Sequence, residues 1–265
     1  MFQKIWLCLL TGFLFTLPSK NGKQVYRKDL RQVETAAITI AAASDLRYAM
    51  DSLVKVFHKE HPEIRVNLIY GSSGKFYSQI VNGAPFDLLF SADMDYPQKL
   101  QQQSLTASAI HLYAIGRIVL WSKKIDVSTK GMNALKDASV NKIAIANPVH
   151  APYGKRAEES LKYYMLYDQV KSKLVLGENI SQTAQYATSG AADLGIIALS
   201  LALNPQIRSQ GKYYLIPEKS HQKLEQAYVI LKRAGKNPAA AVFSRFISSS
   251  SAKLILTKYG FTLPK

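Results

Sequence analysis

The sequence predicts an α/β protein of two lobes, with mixed, mainly parallel sheets flanked by helices. Three observations carry that expectation. Short, continuously apolar runs recur along the chain, most lead through a turn of small or hydroxyl residues, and most of those turns open a segment with helical apolar spacing. With 265 residues, 48% of them hydrophobic and 20% charged, the chain can bury one large core or two smaller ones. Gly 14 and Pro 10 are too few for a collagen or low-complexity chain.

The elements follow in order. Ala37 to Ala43 reads as a short buried strand, and Ser44 to Lys59 as a helix with its apolar stripe at Leu46, Ala49, Met50, Leu53, Val54 and Phe57. Ser44 or Asp45 is placed to cap it. Arg65 to Tyr70 is a strand, Gly71 to Gly74 a tight turn, and Lys75 to Asn82 a helix closed by Gly83. Phe86 to Ser91 is a third strand and Met94 to Gln103 a further helix. Ala114 to Trp121 reads as one longer strand that opens a second α/β set. That set comprises strands at Lys142–Ala146, Lys173–Leu176 and Leu194–Ala198, with helices at Tyr153–Leu166 and Thr183–Ser189. Gln226 to Lys232 is another long strand, followed by helices at Ala239–Ser248 and Ala252–Tyr259. Two long strands bracketing an inserted unit place residues 37–116 and 224–265 in one lobe and 117–223 in the other, with the chain crossing twice. No internal repeat is visible.

Before the first strand, Lys4 precedes the apolar run Ile5 to Leu17, the length of a signal-peptide core and short for a membrane span. Residues 1–20 are therefore expected to be a secretory signal, followed by a polar leader to about residue 36, with an exported, periplasmic product. Cys8, the only cysteine, falls in this run. Disulfides, cysteine zinc sites and a cysteine nucleophile are thus absent from the body of the chain.

Lys plus Arg number 34 against 18 Asp plus Glu, a net charge of +16, which favours an acidic partner: nucleic acid, anionic lipid or a small anion. The basic residues are spread along the chain rather than gathered into a stripe, so a nucleic-acid partner is not expected. His58, His61, His111, His150 and His221 show no metal-binding spacing, and no nucleophile elbow, Walker loop or dinucleotide fingerprint occurs. Asp87 and Asp93, six residues apart, and His150, in a proline-containing loop, are the candidates for acid/base chemistry if the chain is an enzyme.

Four turns carry the stronger signal. Ala43-Ser44-Asp45, Gly71-Ser72-Ser73-Gly74, Pro152-Tyr153-Gly154 and Asn179-Ile180-Ser181 each follow a strand and open a helix. Helix N-termini present free backbone N–H groups and about half a positive charge, so four of them converging at the carboxyl ends of strands make an anion site without a cation. Lys75, beside the second turn, is either a solvated helix residue or a direct partner of the anion.

These residues resemble the periplasmic molybdate-binding proteins of ABC transporters. The similarity is carried by Ala41-Ala42-Ala43-Ser44-Asp45-Leu46, by Tyr70-Gly71-Ser72-Ser73-Gly74 and by the run from Gly83 to Asp93. It continues through Ala146 to Gly154, Leu194 to Ser200 and Lys258 to Phe261, and so spans residues 37–263. The resemblance implies a type II periplasmic binding protein fold with its ligand cleft between the lobes. Molybdate, and tungstate with it, would be held by Ser44, Asp45, Ser73, Tyr153 and Ile180, with no cofactor and no directly coordinated metal. It also implies a monomer that is not an enzyme and that hands its cargo to a membrane ABC permease after a hinge closure near Ala114–Trp121 and Gln226–Lys232. Some members supply a tyrosine hydroxyl from the segment matching Gly195–Ala198. Here that position is Ala198, so Tyr153 is the candidate replacement. The Asp45 backbone N–H is expected to face the anion while its side chain caps the helix or faces away, because a carboxylate there repels a dianion. The same fold tuned to sulfate or phosphate, with Asp45 accepting a phosphate proton, is the alternative.

Overall fold

A computed structural model describes residues 36–264. The expected signal segment, the polar leader and Cys8 lie outside the described residues. Among the described residues ten strands form two five-stranded sheets. The first sheet takes β1 (Ala36–Ala43), β2 (Ile64–Gly71), β3 (Leu88–Ser91) and β4 (His111–Gly116). The second is built entirely from β5 (Ile118–Ser122), β6 (Ile143–Ala146), β7 (Leu174–Gly177), β8 (Leu194–Ala198) and β9 (Lys212–Leu215). The chain then returns to the first sheet with β10 (Leu224–Ile230).

The spatial orders are β2-β1-β3-β10-β4 and β7-β6-β8-β5-β9. In both, three parallel strands are followed by one antiparallel to them, as β10 is to β3 and β5 is to β8. The two sheets thus share one plan, and in each the central parallel strand carries a turn of the site at its carboxyl end. Strands buried on both faces explain the continuous apolar runs. Ile40, Ala42, Leu88 and Phe90 join one cluster, in which Phe57, Phe243 and Phe246 pack edge to face. Their alternating neighbours Ala41 and Leu89 join another with Phe76, Phe86 and Leu100 on the opposite face. The second sheet has its own core around Trp121, Ile145, Leu161 and Ile196.

Two local expectations are corrected. Ala114–Trp121 is not one strand: β4 ends at Gly116 in one sheet, and β5 begins at Ile118 in the other. A Cβ at Gly116 would lie 2.4 Å from the Tyr153 hydroxyl and 2.6 Å from Gln226 Nε2, so the bare glycine lets these side chains close over the crossing. The return to the first sheet falls between β9 and β10. Finally, neither Ser44 nor Asp45 caps the helix Arg47–Glu60, which is entered through a short 3₁₀ turn over Ser44–Leu46 without a side-chain cap. Strand β9 was not foreseen: Lys212-Tyr213-Tyr214-Leu215 is a half-exposed edge strand with no apolar run to announce it.

Candidate functional site

The four turns meet. Ala43, Ser44 and Asp45 at the end of β1, Gly71, Ser72 and Ser73 at the end of β2, and Ala92 beyond β3 line one small cavity from the side of the first sheet. Ala151, Pro152, Tyr153 and Ile180 close it from the side of the second. All five residues singled out from the sequence, Ser44, Asp45, Ser73, Tyr153 and Ile180, are in that lining.

Each arrives there for a local reason. Pro152 and Tyr153 open the helix Pro152–Tyr163, with proline at a first-turn position that needs no N–H. A Cβ at Gly154 would sit 2.1 Å from the carbonyl oxygen of Ala146, so this helix can start directly against the end of β6 only with glycine there. Ile180 opens the helix Ile180–Ser189, whose cap is Asn179, its side chain accepting from the Gln182 N–H at 3.0 Å. Ser73 opens the helix Ser73–Val81, and its Oγ accepts from the Ala92 N–H at 3.0 Å, which leaves its own hydrogen free to donate. The first-turn N–H groups of these helices have no intrahelical acceptor.

Side chains cross the cleft at several points. Ser44 Oγ donates to Asn179 Oδ1 at 3.1 Å and accepts from the Ser181 N–H at 3.2 Å, while Ser181 Oγ donates to the Ser44 carbonyl at 2.8 Å. The Gly74 N–H donates to the His150 carbonyl at 2.9 Å, and Ser72 Oγ lies 2.9 Å from His150 Nδ1. Lys75 Nζ is 2.9 Å from Glu178 Oε1, and this attraction lowers the Glu178 carboxyl from its ordinary range. Lys75 is therefore engaged by a carboxylate across the cleft and is not in the cavity lining, which contains no lysine or arginine at all.

Asp45 is the unusual member. Its carbonyl accepts from Ser200 Oγ at 2.8 Å, and its side chain turns into a buried network. Tyr153 Oη donates to Asp45 Oδ2 at 3.0 Å, Gln226 Nε2 donates to the same oxygen at 2.7 Å and to Tyr153 Oη at 3.0 Å, and Tyr113 Oη donates to Gln226 Oε1 at 2.7 Å. Asp45 Oδ1 is buried with no partner. Burial raises the carboxyl to about 7, against the smaller opposing pull of the hydrogen bonds from Gln226 and Tyr153. The Tyr153 hydroxyl is thereby committed to Asp45 and does not serve as the spare anion donor expected of it. Ala198, where that donor was missed, is wholly buried at the end of β8.

The acid/base candidates do not assemble. Asp87 Oδ2 accepts from the Thr39 N–H at 2.7 Å and its Oδ1 lies 3.8 Å from Arg233 Nε, outside the cavity lining. Asp93 Oδ1 accepts from Ser91 Oγ at 3.1 Å, and burial followed by the charge of Asp95 raises its carboxyl. His150 is lowered by burial and then by Lys75, and it too lies outside the lining. Among the described residues no group of three or more His, Cys, Asp or Glu could hold a metal ion. The cavity is instead built of backbone N–H groups and hydroxyls, a chemistry suited to a small anion. Gln226 and Tyr113 were missed from the sequence. The available signal was Gln226 itself, a fully buried amide within the apolar run of β10.

Comparison with known proteins points the same way. The model of the family described as bacterial extracellular solute-binding protein matches residues 38–262. The molybdate-binding protein ModA of Azotobacter vinelandii is 33% identical over 231 residues, 87% of this chain and 91% of that protein. ModA of Rhodobacter capsulatus is also 33% identical, over 74% of this chain and 77% of its own. In three dimensions, the periplasmic molybdate-binding protein of Azotobacter vinelandii superposes with a TM-score of 0.82 at 31% identity, covering 86% of this chain and 100% of that one. The sulfate-binding protein SubI of Mycobacterium tuberculosis, at 13% identity and a TM-score of 0.69, shares the fold.

Proposed function

The chain belongs to the bacterial extracellular solute-binding protein family, and from that premise we propose that it captures molybdate, and tungstate with it, in the cavity between its two sheets. On this reading Ser73 gives its hydroxyl and backbone N–H and Ser44 its backbone N–H from one side, the Ser44 hydroxyl being held by Asn179, Tyr153 and Ile180 give backbone N–H from the other, and the Asp45 backbone N–H completes the ring. The protein is a periplasmic carrier rather than an enzyme, and it passes the anion to a membrane ABC permease. Its lobes are residues 37–116 with 224–265, and 117–223.

One observation supports the ligand class above the others: in a chain of net charge +16, the cavity where four turns converge is lined without a single cation. Neutral donors at fixed positions bind a fully ionised tetrahedral anion, and they distinguish such anions by size, since charge and shape are shared. The observation favouring a second reading is the unpartnered Asp45 Oδ1, an acceptor that suits a hydrogen phosphate. Isothermal titration of the full chain with molybdate, tungstate, sulfate and phosphate separates these. One-to-one binding of the first two supports the proposal, and heat only with phosphate or sulfate replaces the ligand.

A further inference from the structure

The oxygen atoms of Asp45 are not equivalent. Both side-chain donors that reach the carboxyl, Tyr153 Oη and Gln226 Nε2, fall on Oδ2. Their directions are fixed by the network behind them. Gln226 Oε1 is occupied by Tyr113 Oη, so the amide presents its NH₂ to Asp45 and Tyr153. Tyr153 Oη receives from that NH₂, so its single hydrogen points at Asp45. Oδ2 therefore has no need of a proton, and Oδ1, buried and unpartnered, is the atom able to carry one.

Hydrogen bonds from Gln226 and Tyr153 offset the burial of an ionised carboxyl only in part, and no cation among the described residues pairs with it. The titratable groups facing it are the hydroxyls of Tyr153, on the helix Pro152–Tyr163, and Tyr113, on β4. Both are pushed well above the ordinary tyrosine value, by burial first and by the Asp45 charge next, so both stay neutral. Gln226 on β10 and Ser200, which holds the Asp45 carbonyl, are uncharged, and no described lysine, arginine or histidine forms an ion pair with Asp45. Asp45 nevertheless lines the cavity that receives the anion.

We propose that Asp45 makes anion capture proton-linked: as the dianion enters, the Asp45 carboxylate takes one proton from solvent onto Oδ1 and becomes a neutral acid in the cavity wall. The inference rests on the oxyanion reading of the cavity. No bond of the anion forms or breaks. One carboxylate, one proton and one dianion become one neutral carboxyl beside one bound dianion. Two negative charges in one desolvated site with no cation are otherwise mutually excluding. Tyr153 and Gln226 lie on opposite sides of the cleft, so the two bonds on Oδ2 also tie the proton-carrying group to the closed arrangement of the lobes.

The test is isothermal titration of the full chain with sodium molybdate between about pH 6 and about pH 8.5, each pH in two buffers of different ionisation enthalpy. Molybdate is itself a dianion over this range. The expected result above neutrality is uptake of about one proton per anion, with affinity falling about tenfold per pH unit. Both effects fade toward the acid end, where the carboxyl is already protonated. Asp45→Asn abolishes the proton uptake and flattens the profile. Tyr153→Phe, which removes one donor from Oδ2, moves the alkaline fall to higher pH and serves if Asp45→Asn does not fold. Tight binding by the unaltered protein with no proton uptake overturns this inference and leaves the molybdate reading standing. A pH slope that persists in Asp45→Asn does the same. Absence of molybdate binding at every pH overturns the ligand reading and this inference with it.

Discussion

The Tyr153 hydroxyl, at the start of a helix of one lobe, donates at 3.0 Å to the Asp45 carboxylate, which follows strand β1 of the other. The pair is buried, and among the described residues no cation forms an ion pair with it. A contact of this kind is available only when the two sheets approach, so closure and the state of one carboxyl are coupled.

That coupling reaches folding stability. Burial raises Asp45 from 3.8 to about 7, so between these values the folded protein holds a proton that the unfolded chain has lost. Stability therefore falls as pH rises through this window, by about 1.4 kcal/mol per pH unit at most, and levels off above about pH 7. His150 and His221, both lowered by burial, act in the opposite direction toward acid pH. Comparing the two proteins isolates the carboxyl: the Tm difference between about pH 5 and about pH 8 should shift in Asp45→Asn toward greater relative stability at alkaline pH.

Ser44 and Ser73 should separate cleanly on substitution. Ser44→Ala removes a hydroxyl that bridges Asn179 and Ser181 across the cleft and leaves the Ser181 N–H facing a methyl group. We expect about tenfold weaker anion binding, about 1.4 kcal/mol, with little change in Tm. Ser73→Ala also strips the acceptor from the buried Ala92 N–H, so it should lower Tm as well as affinity, by about 1–3 kcal/mol of stability. Equal Tm losses in both variants would contradict these roles.

Lys75 and Glu178 form an ion pair across the cleft mouth, with both side chains about half exposed. Such pairs contribute about 0.2–1 kcal/mol and are screened by salt. Lys75→Ala should weaken anion affinity by up to about fivefold at low ionic strength and by much less at high salt. Glu178→Ala added to it should cause little further loss. A large, salt-independent effect of Lys75→Ala would instead place its ammonium on the anion.

Gly116→Ala tests the crossing between the sheets. The new Cβ would fall 2.4 Å from Tyr153 Oη and 2.6 Å from Gln226 Nε2, so the network on Asp45 must shift to admit it. Overpacking of this kind costs about 1–3 kcal/mol, a Tm fall of roughly 2–12 °C for a chain of this size. Thermal melting should show the loss, and titration should show a weakened anion site with it.

Much of this architecture was legible before the structure. Apolar runs such as Ile143–Ala146 and Leu194–Ala198 report strands buried on both faces, because local periodicity follows burial directly. The hydroxyl and glycine turns marked the cavity lining for a similar reason, since a helix N-terminus at a strand end has a local signature. The split at Arg117 was marked only by the Gly116-Arg117 pair, and the apolar residues on both sides of it, Ala114-Ile115 and Ile118 to Trp121, let the segment read as one strand. Edge strand β9 lacked burial to reveal it.

What the sequence determined by itself was therefore the α/β class, the order of most elements and the turns that carry neutral donors, each set by interactions between residues close along the chain. Only the tertiary structure decided that Asp45 meets Tyr153, 108 residues away, and Gln226, 181 residues away, rather than capping its own helix. The physical reason is one of range. A cap competes for a carboxylate within a single turn, whereas this partnership requires two sheets to close and exclude water. Burial then sets both the charge of the group and the direction of every hydrogen bond around it.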